Sequence, residues 1–157
     1  MGDVRVETEI GASAEAVYDL VADMPRMGEW SPECHRVEWT HGATDAAVGA
    51  RFAGHNRHGW RRWSTHGTVT VADRGREFAF EVRSVLDLPV ARWGYRFETT
   101  GDGRCRVVES TVDRRGRVMR VLGRATGVAD RAARNRETMT TTLAQLRAAA
   151  EVGVARG

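Results

Sequence analysis

The chain has no lysine, only two cysteines and three prolines, and no long apolar run. All 24 of its basic residues are therefore arginines, and they are scattered among 21 acidic residues to give a net charge of +3. This mixture contains no basic stripe of the kind that binds DNA or RNA, so we expect no nucleic-acid partner. The exclusive use of arginine, with frequent alanine and glycine, is typical of a GC-rich bacterial genome.

Metal and cofactor motifs are also missing from the sequence. Cys34 and Cys105 are far apart and fit no metal-binding spacing. His55, His58 and His66 fall on a strand end and a turn, with no acidic residue on a shared face, so we expect no metal site. The sequence has no P-loop and no GxGxxG or GxSxG motif, and we expect no cofactor.

The sequence also lacks targeting and membrane-spanning segments. Residues 1–25 include several acidic side chains and no apolar core of a signal peptide. No apolar stretch approaches the ~20 residues that span a bilayer. We therefore expect a cytoplasmic protein without stable membrane insertion. The sequence leaves the oligomeric state open between a monomer and a homodimer.

Apolar periodicity divides the chain into strands and helices. Residues 4–10 alternate apolar and polar side chains, which predicts a half-buried strand. Ser13 is a good N-cap for a short helix over 14–22, and a brief turn or helix follows from Met24 to Trp30. Further strands are predicted at 35–40, 50–58, 62–73, 77–84, 91–100 and 104–114. Apolar residues at three- and four-residue steps then predict a helix from about 117 to 150.

These elements predict one domain over residues 1–157, with loose termini at 1–3 and 151–157. Short turns rich in glycine and aspartate between the strands indicate an antiparallel meander. Clean alternation indicates that one face of this sheet is covered. We expect the C-terminal helix to cover it, because no other predicted element is long enough.

Residues 13–34, SAEAVYDLVADMPRMGEWSPEC, resemble the signature of polyketide cyclase/dehydrase-like proteins of the START/Bet v 1 (SRPBCC) superfamily. Residues 103–111, GRCRVVEST, and the ending 138–151 are similar to further parts of that family. The resemblance implies an α+β helix-grip fold, in which a curved seven-stranded antiparallel sheet wraps a long C-terminal helix. It also implies a cavity between the sheet and the helix.

Aromatic and small side chains are the candidates to line that cavity. Large flat side chains can hold an apolar ligand, although each can equally be ordinary core packing. Gly123 and Gly127 would leave room on the helix, or they could mark a kink. The predicted ligand-binding residues are Trp30, Trp39, Trp63, Phe80, Trp93, Tyr95, Gly123, Gly127 and Met139.

Catalytic residues are less evident, and we consider His35, Tyr95, Glu109 and Arg136. His35 shares the parity of the apolar residues of its strand, which would turn it inward. Glu109 and Arg136 could form a polar pair inside an apolar cavity, or an ordinary pair at the surface. The alternation does not show which face of strand 104–114 is inward.

Three functions remain open on the sequence alone. The first is binding of a hydrophobic small molecule, such as a polyketide, lipid or isoprenoid-like ligand, in the cavity. The second is a polyketide cyclase or dehydratase, which would fold a reactive chain and assist proton transfer. The third is a protein-interaction or stress-response module in which the cavity is vestigial.

Overall fold

A computed structural model of the chain describes residues 3–118, 120–121 and 131–157. Two helices and a 3-10 helix have bounds Ala14–Ala22 (α1), Met24–Glu29 (3-10) and Arg131–Ala155 (the C-terminal helix). The strands are β1 Val4–Ile10, β2 Cys34–Thr40, β3 Arg51–His58, β4 Arg61–Asp73, β5 Glu77–Ser84, β6 Pro89–Thr99 and β7 Cys105–Asp113.

The seven strands form one antiparallel sheet in the order β1-β7-β6-β5-β4-β3-β2. This is a meander from β2 to β7 with β1 added at the β7 edge, which confirms the predicted helix-grip fold. The register shifts at His35 in β2, at Thr70 in β4 and near Val90 in β6. Such bulges increase local twist, and they help to curve the sheet around its inner face.

Helix α1 closes one end of the sheet. Ser13 is extended, and its Oγ accepts a hydrogen bond of 3.1 Å from the backbone N–H of Ala16, which satisfies one free donor of the first turn. The ring of Tyr18 makes edge-to-face contacts with Phe78 and Phe97 on the inner face. This end of the sheet is therefore solid core.

The C-terminal helix packs mainly against β1 and α1. It buries Met139, Leu143 and Leu146 almost completely, and each such side chain contributes about 2 kcal/mol. The helix continues beyond the predicted limit of 150, and Glu151 Oε1 accepts a hydrogen bond of 3.0 Å from the backbone N–H of Gly11. Because the helix packs along one edge of the sheet, it leaves space over the middle strands.

Candidate functional site

That space is a cavity of about 130 Å³ between the inner face of the sheet and the C-terminal helix. The sheet supplies an apolar wall, because alternate residues of each strand point to the same face. The apolar residues on this wall include Val37, Phe52, Trp63, Phe80, Val82 and Trp93. Edge-to-face packing of Phe52 on Phe80, with ring centroids 5.4 Å apart, makes part of the wall rigid.

The mainly apolar wall contains a buried carboxyl group. Glu109 on β7 is directly opposite Tyr95 on β6, and the Tyr95 hydroxyl donates a hydrogen bond of 2.8 Å to Glu109 Oε1. Both side chains line the cavity and are at most 3% exposed. Burial raises the pKa of Glu109 to about 8, against the smaller opposing effect of the Tyr95 hydrogen bond. Glu109 is therefore a neutral carboxylic acid at pH 7.

Two side-chain oxygen atoms in this part of the cavity have no hydrogen-bond partner within the described residues. They are Glu109 Oε2 and Thr111 Oγ1, which belong to neighbouring inward positions of β7, and both residues line the cavity. A buried polar atom without a partner costs about 1–3 kcal/mol, so such atoms require an explanation. A ligand that forms hydrogen bonds in the cavity would supply one.

The helix side of the cavity is polar. Arg131, Asn135, Thr138 and Thr142 line the cavity from one face of the C-terminal helix, at steps of three and four residues. Thr142 Oγ1 donates to the backbone carbonyl of Thr138 at 2.9 Å, which fixes the orientation of its side chain. A ligand in the cavity would therefore contact mainly aromatic and aliphatic groups on the sheet side, where Asn56 and Thr65 are polar exceptions, and polar groups on the helix side.

Charged residues gather where the helix begins. Arg134 Nη2 lies 3.1 Å from Glu33 Oε1, and Arg115 Nη2 lies 2.6 Å from Asp113 Oδ2. Glu33, Asp113 and Arg131 also line the cavity. Burial lowers the pKa of Arg131, but an arginine remains charged at physiological pH. The cavity thus has a charged end and a deeper apolar part that contains Glu109.

Cys34 also lines the cavity as a free thiol. Burial raises its pKa to about 11, so the thiol is protonated at pH 7. It therefore acts as a small apolar wall residue.

The structure places the predicted ligand-binding residues in three groups. Trp63, Phe80, Trp93 and Tyr95 line the cavity. Trp30 and Met139 are buried in the core, and Trp39 packs edge-to-face on Phe52, outside the lining. Gly123 and Gly127 lie outside the described residues.

Of the four predicted catalytic residues, only Tyr95 and Glu109 meet in the cavity. His35 is exposed, because the bulge in β2 at this position breaks the alternation that would turn it inward. Arg136 is also exposed and donates to the backbone carbonyl of Arg5 at 3.3 Å, so the inward Glu109–Arg136 pair does not form. The partner of Glu109 is Tyr95, on the adjacent strand.

Several lining residues were missed from the sequence, including Thr111 and the polar face of the helix. Arg131, Asn135, Thr138 and Thr142 do follow helical spacing, which was the available signal. Their polarity resembles that of a solvent-facing stripe, and only the packing of the helix on β1 turns it towards the sheet.

The described residues also bear on metal sites and membrane spans. No group of three or more histidine, cysteine, aspartate or glutamate side chains in this part of the chain could hold a metal ion. Within the same residues, no helix is both long and apolar enough to cross a membrane.

Comparisons with solved structures give many matches over nearly the whole chain. A protein of Chromobacterium violaceum has a TM-score of 0.72 and 15% identity, with 96% of this chain and 97% of that chain covered. A Polyketide_cyc-like protein of Corynebacterium glutamicum has a TM-score of 0.61 and 28% identity, with 97% and 93% covered. The di-domain ARO/CYC protein StfQ of the steffimycin biosynthetic pathway has a TM-score of 0.73 and 14% identity, with 98% of this chain and 52% of StfQ covered.

These low identities establish the fold, and they do not transfer a reaction. No curated protein matches the sequence. A family model described as polyketide cyclase/dehydrase and lipid transport matches residues 1–151. Because this match covers nearly all of the chain, the protein belongs to the polyketide cyclase/dehydrase and lipid transport family.

Proposed function

We propose that the cavity binds a mainly apolar small molecule that carries hydrogen-bonding oxygen atoms. The observation that supports this most is Glu109, a buried carboxyl group in an aromatic wall whose Oε2 has no partner in the described residues. Burial holds its pKa at about 8, so at neutral pH the group can donate its proton in a hydrogen bond. A ketone, ester or hydroxyl oxygen would accept that hydrogen bond.

The opposite wall supports the same ligand class. Asn135, Thr138 and Thr142 line the cavity on the helix side, opposite the apolar sheet, and the Thr142 hydroxyl already donates to the backbone carbonyl of Thr138. A saturated hydrocarbon chain would remove these groups from water without replacing their hydrogen bonds, at a cost in binding free energy. A flat or folded molecule with several oxygens along one edge would satisfy them, and polyketide-like compounds have this character.

Binding can be tested by displacement of the fluorescent apolar probe N-phenyl-1-naphthylamine from the purified protein. We expect a hydroxylated anthraquinone to displace the probe better than a saturated fatty alcohol of similar size. Solvent extraction and mass spectrometry of the purified protein would show any ligand that it retains. A protein that takes up neither the probe nor the anthraquinone would contradict the proposal.

Two tryptophans provide a matched pair of variants for this test. Trp93 lines the cavity, whereas Trp60 is 86% exposed on the turn between β3 and β4. Trp93→Ala should weaken anthraquinone binding by about tenfold or more, since it removes a large apolar contact of about 1.5–3 kcal/mol. Trp60→Ala should leave it unchanged, and equal losses in both variants would count against the cavity as the site.

A second candidate function is a cyclase or dehydratase reaction, and the neutral state of Glu109 is the observation that favours it. A carboxylic acid with a pKa near neutrality is suited to general acid catalysis. Glu109 could protonate a hydroxyl group that leaves as water, or the oxygen of a carbonyl that is being attacked. Tyr95, which holds Oε1, would then stabilise the resulting carboxylate.

Glu109→Gln separates the two functions, because the amide still donates hydrogen bonds but transfers no proton. Under the binding function the variant keeps its affinity for the anthraquinone within about threefold. Under the enzyme function it keeps that affinity but loses turnover of a poly-ketone substrate by a factor of about 10²–10⁴. Turnover that is unaffected by the substitution would exclude Glu109 as the acid.

A further inference from the structure

One end of the sheet carries both exposed apolar side chains and excess positive charge. The hairpin β3–β4, the hairpin β5–β6 and the segment after β7 all lie at this end, because neighbouring strands run antiparallel in sequence order. The strand register fixes this arrangement, because it pairs Cys34 with Asn56, Thr65 with Ser84 and Ala91 with Asp113. We call residues 57–62, 83–88, 113–118 and 120–121 the hairpin end.

The hairpin end holds most of the exposed large apolar side chains of the described residues. Trp60 is 86% exposed at the tip of one hairpin, and Leu86 is 78% exposed at the tip of the next. Val85, Leu88, Val118 and Val121 are also exposed here. Single exposed apolar residues are common in soluble proteins, but six of them at one end of a small domain indicate an interaction surface.

The formal charge is concentrated in the same place. Residues 57–62 carry three positive charges, residues 113–121 carry a net three and residues 83–88 carry none. The whole chain has a net charge of only +3, so the remainder is net negative by three. Eight of the 24 arginines of the chain therefore lie in these three segments, which the fold brings to one end of the sheet.

Some ion pairs among the described residues offset part of this charge. Within the hairpin end, Arg83 pairs with Asp87 and Arg115 pairs with Asp113. The net charges given above already count the negative charges of Asp87 and Asp113. Arg114 lies 3.8 Å from Glu81 outside it, which neutralises one further charge. Arg57 and Arg62, which face each other across the β3–β4 hairpin, are both exposed.

We propose that the hairpin end docks the protein on the surface of anionic lipid membranes. Trp60 and Leu86 would enter the interface between headgroups and acyl chains, while the arginines contact lipid phosphates. The cavity residues Trp63, Val82 and Ala91 belong to the strands that meet in these hairpins. A docked protein would therefore hold this side of its cavity towards the bilayer, from which an apolar ligand could enter.

The form of the surface favours a membrane over other polyanions. Nucleic acids would attract the same arginines through their phosphates, but this attraction does not require apolar side chains at the tips of separate hairpins. Tryptophan is enriched at membrane interfaces, because its ring is apolar while its N–H remains hydrogen-bonded.

The test is co-sedimentation of the full chain with sucrose-loaded vesicles. We expect binding to vesicles of mixed phosphatidylglycerol and phosphatidylcholine and much weaker binding to pure phosphatidylcholine. The double variant Trp60→Ser/Leu86→Ser should lose about tenfold or more of the partition onto anionic vesicles. Its control is Val48→Ser, which removes a side chain that is 68% exposed in the β2–β3 loop at the opposite end of the sheet.

A second pair of variants tests the position of the charge. Arg57→Gln/Arg62→Gln should lose about fivefold per charge, which corresponds to the roughly 1 kcal/mol of an arginine near an anionic surface. Arg51→Gln/Arg96→Gln removes the same charge from exposed positions nearer the other end of the sheet and should change binding less than twofold.

Three results would overturn the proposal. The first is no sedimentation with anionic vesicles, whatever else the protein binds. The second is an equal loss in the control variants, which would indicate attraction without a defined docking surface. The third is retention of vesicle binding in Trp60→Ser/Leu86→Ser together with comparable binding to duplex DNA, which would identify a general polyanion surface. None of these measurements depends on cavity occupancy, so they remain distinct from tests of the proposed function.

Discussion

Tyr95 donates a hydrogen bond of 2.8 Å to one oxygen of Glu109, and the other oxygen of Glu109 has no partner in the described part of the chain. The two residues lie opposite each other on adjacent strands, so the backbone register fixes their approach. The carboxyl group is consequently buried and held in one orientation, and only one of its two oxygens has a hydrogen-bond partner among the described residues. This state has consequences for stability as well as for binding.

The first prediction concerns the pH dependence of stability. Burial raises the pKa of Glu109 from its ordinary value of 4.5 to about 8 in the folded protein. Between these pH values the native protein keeps a proton that the unfolded chain releases, so the contribution of Glu109 to the free energy of unfolding falls as the pH rises. It is fully present below pH 4.5 and is lost by about pH 8, a change on the order of 4 kcal/mol.

Glu109→Gln should remove this dependence, because glutamine stays neutral throughout. Urea denaturation at pH 5 and pH 8.5 measures the free energy of unfolding of both proteins. Relative to the unsubstituted protein, the variant should be more stable at pH 8.5 than at pH 5. An identical pH dependence in the two proteins would show that Glu109 titrates normally in the folded state.

The second prediction concerns Tyr95. Its hydrogen bond opposes the effect of burial, so Tyr95→Phe should raise the pKa of Glu109 further. The variant should also lose about 1–2 kcal/mol of stability, since both oxygens of the carboxyl group are then without a protein donor in the described residues. Carboxyl ¹³C NMR titration and denaturation at pH 6 would measure the two effects.

Tyr18→Phe is the matched control for that experiment. Tyr18 is also buried, at 6% exposure, but packs on Phe78 and Phe97 at the solid end of the sheet. Its substitution should leave the carboxyl titration of Glu109 unchanged, and a shift of similar size would indicate a general loosening of the core.

The third prediction concerns the two exposed candidates. His35 lies on a bulge at the surface, and the exposed Arg136 donates to the backbone carbonyl of Arg5. His35→Ala and Arg136→Ala should therefore change anthraquinone affinity less than twofold, with stability within about 0.5 kcal/mol of the native protein. A loss of anthraquinone affinity as large as that of Trp93→Ala would show that the substituted residue belongs to the binding site after all.

The fourth prediction concerns Gly67, on the inner face of β4. A Cβ atom added there would lie 2.0 Å from Cζ of Phe52, whose ring is held by Trp39 and Phe80. Gly67→Ala should cost about 1–3 kcal/mol by overpacking and should also weaken probe binding, because Phe52 lines the cavity. Gly101→Ala, where a Cβ would meet nothing within 4 Å, is the control and should be nearly neutral in thermal denaturation.

The local elements could be predicted from the sequence because the relevant signals are short-range. Alternation over VRVETEI and EFAFEVRS predicted strands whose bounds agree with β1 and β5, and Ser13 correctly marked the start of α1. The antiparallel order followed from the short turns. The resemblance at residues 13–34 supplied the helix-grip fold, which the structure confirms.

Orientation was harder to predict, because bulges and two-sided burial remove the alternating signal. One extra residue in β2 turns His35 outward although its neighbours Val37 and Trp39 predict the reverse. In β7, Val107, Val108 and Glu109 are all buried in succession, so no parity could show that Glu109 is inward.

The sequence by itself therefore determined the strands, the helices and, through short turns and family resemblance, the curved sheet beneath a C-terminal helix. These follow from steric and hydrophobic preferences that act over a few residues. Only the tertiary structure decided that Tyr95 contacts Glu109, that a polar face of the helix lines the cavity, and that three arginine-containing segments meet at the end of the sheet that carries Trp60 and Leu86. Each of those results depends on strand register and on helix packing, which join residues far apart in the chain.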